Sequence, residues 1–355
     1  MPPKKEPRTA ASGSAGQSIS QKALAEHLGL SPATISLVIN RSPAAHSIPQ
    51  ETKERIFAAA KRLNYRPNFA ARSLRKQRSF TIGVVVPEIS EGYAALVMSG
   101  IEDQLLQEGY FYFVVSHRHR EDLLENFPRL LMNRAVEGLI AVDTPCRHSI
   151  PLPVVSISGH SEAPGVTNIV LNHERAAMLA LDHLFHLGHR QIAFIKGQEF
   201  SSDTEARWNA ILLAAKTLGL KIRPNLVAQL EGDVPSPELG YHVAQKLLGG
   251  GQRFTALFAF NDISAIGAIR ALREAGLRVP EDVSVVGFDD IQSAAYQNPG
   301  LTTVRQPLRQ MGVLAAETVL QRIIAPTRPA AKKLITVEPE LIVRGSTGPV
   351  SAGRA

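Results

Sequence analysis

Apolar positions along the chain change their period once, near residue 80. Before it they recur at helical spacing. Ile56, Ala59, Ala60 and Leu63 fall at i, i+3, i+4 and i+7, which predicts a helix from about Pro49 to Asn64 with one apolar face. That face would close a small core against Leu24, Leu28, Ile35 and Val38. Two shorter helices precede it. Ser18-Ile19-Ser20-Gln21 has the form of a capping box, so Ser18 is expected to cap a helix over Ile19–Leu28. Gly29 suits a left-handed turn, and Ser31 with Pro32 at the first helical position would start the second helix. Helix, glycine turn, helix is the layout of a helix-turn-helix, which offers the start of its second helix to the major groove; a plain αα-hairpin shares that layout. Tyr65-Arg66-Pro67 breaks the third helix, and Asn68 to Lys76 reads as a short helix too poor in apolar residues to hold itself.

From Thr81 onward, continuous apolar runs such as Ile82–Val86 alternate with amphipathic stretches. Strands are expected at 81–87, 111–117, 138–143, 154–158, 191–197, 226–231, 255–261, 283–289 and 302–306, and helices at 94–107, 175–187, 204–218, 237–248, 263–275 and 308–324. Wholly apolar strands suit a parallel sheet covered on both faces. Alternation over this length predicts a doubly wound α/β domain in two lobes, because one sheet would be too wide. Ligands of such sheets bind beyond the carboxyl ends of the strands, where Asn261 and Asp289 stand, with Arg207 on the helix after 191–197. Amide, carboxylate and guanidinium together suit a polar, polyhydroxylated small molecule. Helix capping is the competing reading, and the preferred one for Asp262 and Asp290.

Charge separates the two regions. Residues 1–80 carry 14 Lys and Arg against 4 Glu, a net of +10, while the chain as a whole is +7. A basic small domain on a slightly acidic large one is the footprint of a nucleic-acid binder with a second task. The single cysteine, Cys146, forbids an intrachain disulfide. No apolar run reaches membrane-spanning length, and residues 1–17 read as a disordered tail without a signal peptide's apolar core, so a cytoplasmic protein is expected. Scattered histidines and one cysteine predict no metal site. No cofactor is expected either, since no G-x-G-x-x-G follows a strand, and no nucleophile–base arrangement points to an enzyme. A periplasmic binding protein would account for residues 80–345 but not for the basic first 80.

These features carry a family resemblance. The segments Ala25–Ser36 (AEHLGLSPATIS), Leu63–Asn68 (LNYRPN), Ala70–Leu74, Thr81–Pro87, His186–Phe194, Val285–Asp290 and Leu301–Pro307, in this order, resemble the lactose-repressor/galactose-repressor (LacI/GalR) family of bacterial transcription regulators. The resemblance implies a homodimer on a pseudo-palindromic operator, controlled by a small-molecule effector, a sugar or sugar derivative, held between two lobes. It implies DNA contacts at Ser31, Pro32, Ala33, Thr34, Ser36, Leu37 and Asn40 of the recognition helix. From a hinge helix it adds Asn68, Ala71 and Leu74, with Leu74 as the wedge into a base step. It implies effector contacts at Tyr93, Ser158, Arg207, Asn261 and Asp289. The domains then run 18–66 (helix-turn-helix), 67–79 (hinge) and 80–345 (effector binding and dimerisation), with a flexible tail at 346–355. One lobe is expected over 80–168 with 302–328, the other over 170–300 with 332–345. Three positions depart from the family's pattern. Ser158 stands where many relatives have a ligand-touching Asp, and Leu171 and Val234 where sugar-binding relatives often have aromatic rings, which removes stacking surface for a sugar face and leaves non-sugar effectors open. The last residues, Gly345–Ala355, show no heptads for a tetramerising coiled coil.

Overall fold

The computed structural model describes residues 19–40, 42–65, 73, 77–89, 92–146, 150–160, 163–232, 236–325 and 333–351. The chain divides into two compact units between Arg78 and Ser79.

The first unit is built on α1 (Gln21–Leu28), α2 (Pro32–Ile39) and α3 (Gln50–Arg62). Ser20, not Ser18, caps α1: its hydroxyl accepts the Ala23 N–H at 3.1 Å. Ser18 lies outside the described residues. Gly29 has φ 65°, and Ser31 accepts the Thr34 N–H at 3.1 Å with Pro32 at N1, so the turn and the second cap form as the residue types require. A 3₁₀ turn at Pro43–Ser47 adds Ala45 to a core of Leu24, Ala25, Ile35, Val38, Ile56, Ala59 and Ala60. Leu28 and Leu63 pack at its edge. The expected hinge helix, with Asn68, Ala71 and Leu74, falls outside the described residues.

The second unit contains two six-stranded sheets. The first comprises β1 (Thr81–Val86), β2 (Phe111–Ser116), β3 (Gly138–Val142), β4 (Val154–Ile157), β5 (Val166–Leu171) and β11 (Leu334–Val337), ordered β11-β5-β4-β3-β1-β2, every pairing parallel. The second comprises β6 (Ile192–Lys196), β7 (Val227–Gln229), β8 (Ala256–Ala259), β9 (Ser284–Asp289), β10 (Thr302–Arg305) and β12 (Glu340–Ile342), ordered β12-β10-β9-β8-β6-β7, parallel except for β12. Helices α4 (Tyr93–Gln107), α5 (Glu121–Asn133) and α11 (Leu308–Ile324) belong to the first lobe. The helices α6 (His173–His186), α7 (Asp203–Thr217), α8 (Pro237–Gly249), α9 (Asp262–Glu274) and the short α10 (Gln292–Ala295) belong to the second. No helix among the described residues is long and apolar enough to cross a membrane.

Several expectations differ from this arrangement. Strand 302–305 lies in the second sheet, in register with β9, and strand 334–337 lies in the first beside β5, so the lobe assignments of both reverse. Only α11 returns to the first lobe in between, so the chain passes from one lobe to the other after β5, β10 and β11. Helix α5 has Pro128 in its interior, which masked the amphipathic spacing of Leu124, Phe127 and Leu131. Residues 346–351 are not a flexible tail. Ser346 is fully buried, with its hydroxyl 2.8 Å from the Thr302 N–H and 2.6 Å from the Val285 carbonyl, and Val350 donates to Leu187.

Candidate functional site

Three strands end on residues with positive φ that are not glycine: Asp143 after β3 (40°), Ser158 after β4 (59°) and Asp289 at the end of β9 (108°). Such backbone costs on the order of 1–3 kcal/mol each, and its concentration at the carboxyl edge of both sheets marks that edge as a site. A cleft opens there, lined by Tyr93, Asp143, Phe200, Asp203, Arg207, Phe260, Asn261 and Asp289 among others.

Arg207 is its centre. The residue is 3% exposed and its guanidinium meets two rings, 3.6 Å from the Phe288 centroid and 4.4 Å from that of Phe260. It donates to the Phe260 carbonyl and, at 3.4 Å, to Asp203 Oδ2. The other oxygen of Asp203 lies 2.7 Å from His160 Nε2 and 3.2 Å from His173 Nε2. Burial alone would raise the Asp203 carboxyl; the two imidazoles and Arg207 outweigh it and hold the group well below the usual carboxylate range. Burial pushes His173 the other way, toward its neutral form. The three ligand atoms lie within 4.8 Å of one another, a spacing a metal ion accepts. The chemistry does not fit: a guanidinium sits on the same carboxylate, and His173 Nδ1 is buried without a partner, where a metal-bound imidazole has its second nitrogen anchored. The cluster is a carboxylate neutralised by cationic and imidazole donors.

Asp143 ties the lobes together. It accepts the Ser202 N–H at 3.1 Å, the Ser202 hydroxyl at 2.7 Å and the Ser201 hydroxyl at 3.3 Å. Burial, with Asp203 nearby, pushes its carboxyl up. Asp289 accepts from Gln306 Nε2 at 2.6 Å, and burial pushes it up to about 7, Arg207 pulling the other way. Between the unfolded value of about 4 and 7, the native carboxyl keeps a proton that the unfolded chain has lost, so stability declines as pH rises through that window. Asp289→Asn is therefore expected to raise the melting temperature relative to wild type more at pH 8 than at pH 4.5. Equal differences at both pH values would contradict the buried environment.

Of the five residues expected to touch an effector, Tyr93, Arg207, Asn261 and Asp289 line the cleft together. Ser158 does not line it; buried behind Tyr93, it lies 2.6 Å from the phenol oxygen. Asn261 caps α9, accepting the Ser264 N–H at 2.9 Å in a capping box, so its Nδ2 is the group it can offer a ligand. Asp262 and Asp290 are not caps. Asp262 is wholly buried and accepts from Thr303 (2.6 Å) and the Ile291 N–H (2.9 Å), while Asp290 pairs with Arg305 and Arg344, both at 2.7 Å. Leu171 packs in the core, and the aromatic walls come from Phe200 and Phe260; Val234 lies outside the described residues. Asp143 was legible by the strand-end rule applied to Asp289. Asp203 and the two histidines carried no local signal.

In the first unit, Ser31, Pro32, Ala33 and Asn40 are exposed, and Thr34, Ser36 and Leu37 are half-buried. Leu37 also packs on the core, and Asn40 donates back to the Ser36 carbonyl at 2.7 Å. Arg55, Lys61 and Arg62 are exposed on α3, Arg62 lying 2.7 Å from His27 Nε2.

Comparison with known proteins agrees with both units. Residues 22–68 match the model described as bacterial regulatory proteins, lacI family, and residues 181–347 match a periplasmic binding protein-like domain. The HTH-type transcriptional repressor PurR of Aliivibrio fischeri (strain MJ11) is 32% identical over 334 residues, covering 92% of this chain and 97% of that protein. The lac repressor dimer bound to operator and the anti-inducer ONPF is similar in structure, with TM-score 0.80 and 27% identity over 94% of this chain and all of that one. The complex of the regulator CelR with cellobiose matches at TM-score 0.68 and 27% identity, over 92% of this chain and 99% of that one.

Proposed function

The chain belongs to the lacI family of bacterial regulatory proteins, and from that premise we propose how its residues divide the work. It is a helix-turn-helix transcriptional regulator, a repressor like its relatives, with a domain for a small-molecule effector; it is not an enzyme. In our reading it acts as a homodimer on a pseudo-palindromic operator. The observation that carries the DNA assignment is the start of α2, where a Ser31 cap and Pro32 leave Pro32 and Ala33 exposed at the end that enters a major groove. Ser31, Thr34, Ser36 and Asn40 supply polar contacts there, and Leu37 an apolar one. Apolar side chains at reading positions make thymine methyls and DNA shape part of the readout. Arg55 and Arg62 supply phosphate contacts that strengthen binding to all sequences alike. Asn68, Ala71 and Leu74 extend the contact from the hinge segment.

In the second unit, Tyr93, Arg207, Asn261 and Asp289 receive the effector, which we take to be a sugar or sugar derivative, and Ser158 sets the Tyr93 hydroxyl. Closure of the two lobes on it changes operator affinity by ~5–150-fold, the usual range of such coupling. The test of the DNA reading is selection of binding sites from random DNA. Ala33→Gln is expected to change the selected consensus, while Arg62→Ala weakens binding to all sequences and flattens its salt dependence. An unchanged consensus would remove α2 from the readout.

A further inference from the structure

The charges lining the cleft do not balance. Glu88, Asp143, Asp203 and Asp289 line it; against these four carboxylates stand Arg207, the one Arg or Lys among the described residues lining it, and one imidazole, His119, which lies on the Phe200 ring. Arg207 is already committed to Asp203, which two imidazoles also share. Asp143 and Asp289 are held by neutral donors alone in their hydrogen bonds: two serines for the first, the Gln306 amide for the second. Asp289 is nonetheless 7% exposed, and Glu88 Oε1 is buried at the cleft without a partner among the described residues. A buried carboxylate ordinarily has a cation beside it, because neutral hydrogen bonds return less than the loss of water costs an ion. Around this acidic floor stand Phe200 and Phe260, which suit a carbon frame, and the Asn261 amide and Tyr93 hydroxyl, which suit ligand oxygens.

We propose that the effector is a cation, a small polyhydroxylated molecule carrying a protonated amine, with the ammonium seated between Asp143 and Asp289. Three N–H donors let one ammonium serve both carboxylates. The assignment rests on the reading of the cleft as the effector site. It narrows the class from sugars in general to amino sugars and amino polyols.

The test uses the full-length protein with matched trios of one carbon skeleton: glucosamine, glucose and glucuronate, then galactosamine, galactose and galacturonate. Thermal melts and calorimetry at pH 7 are expected to show at least one amine binding about tenfold or more tighter than its neutral partner, with the acid weakest. Because Asp289 is pushed up to about 7, an adjacent ammonium drives off its proton. Calorimetry in buffers of different ionisation enthalpy should therefore record net proton release. Asp289→Asn and Asp143→Asn, each checked for folding by its melt, should shrink the amine's advantage toward parity. Neutral or acidic members binding as well as the amine would overturn the proposal. So would absence of amine binding in protein that still selects its operator, an outcome that leaves the regulator reading intact. Loss of sequence-selective DNA binding in wild-type protein would strike that reading instead.

Discussion

Arg207→Ala is expected to abolish the effector's control of operator binding and to destabilise the second unit by about 3–5 kcal/mol, the usual cost of stripping one partner from a buried ion pair. The guanidinium meets the rings of Phe260 and Phe288, donates to a carbonyl at the end of β8, and neutralises Asp203 at the start of α7. Alanine removes all of this at once, leaving a void beside two rings. Asp203 keeps only His160 and His173 as partners. A fall in melting temperature on the order of 10 °C follows. Arg207→Lys separates the contributions: it keeps the charge but lacks the planar fork that stacks and donates twice, so an intermediate loss is expected. Thermal melts with effector titrations of operator binding decide the matter. A variant that melts and responds as wild type does would take Arg207 out of the site.

Gly312→Val is expected to cost about 3 kcal/mol or more by forcing apart the two helices that close the first lobe. Helices α4 and α11 touch backbone to backbone at two glycines. A Cβ at Gly312 would stand 2.1 Å from the Val97 carbonyl oxygen, and one at Gly100 would stand 1.9 Å from that of Arg309. Neither neighbour is a side chain that can swing away. The core these helices cover includes Val97, Ile101, Leu105, Met311 and Ala315, all buried, so separation exposes a contiguous apolar surface. Gly249→Ala is the control: nothing lies within 4 Å of its added Cβ at the last position of α8, and no fall in the denaturation midpoint is expected. Equal behaviour of the two variants in urea unfolding would refute the packing argument.

Much of the layout was readable because it is written in short-range chemistry. A serine before Pro32 and a glycine after Leu28 decide local backbone geometry, and the run Ile82–Val86 decides burial on both faces of a strand. Where local signals competed, the first turn itself decided: the Ser20 hydroxyl accepts the orphan N–H of Ala23. The residues at the end of β9 show the limit of position alone. Asp289 reaches the cleft, but Asp290, next along the chain, turns to Arg305 and Arg344.

By itself, then, the sequence determined most of the helices and strands, though not β5, β11, β12 or α5, that the first 80 residues carry the positive charge, and that polar groups gather at strand ends. Those properties depend on residues a few positions apart. The tertiary structure alone decided that β10 and β11 exchange sheets, since strand pairing depends on which neighbour offers free N–H and C=O groups beside it. It alone brought His160 to Asp203 across 43 residues and His173 to the same oxygen. It also set which carboxylates are paired and which are not, because ionisation follows burial and nearby charge, and both are fixed by contacts remote in sequence.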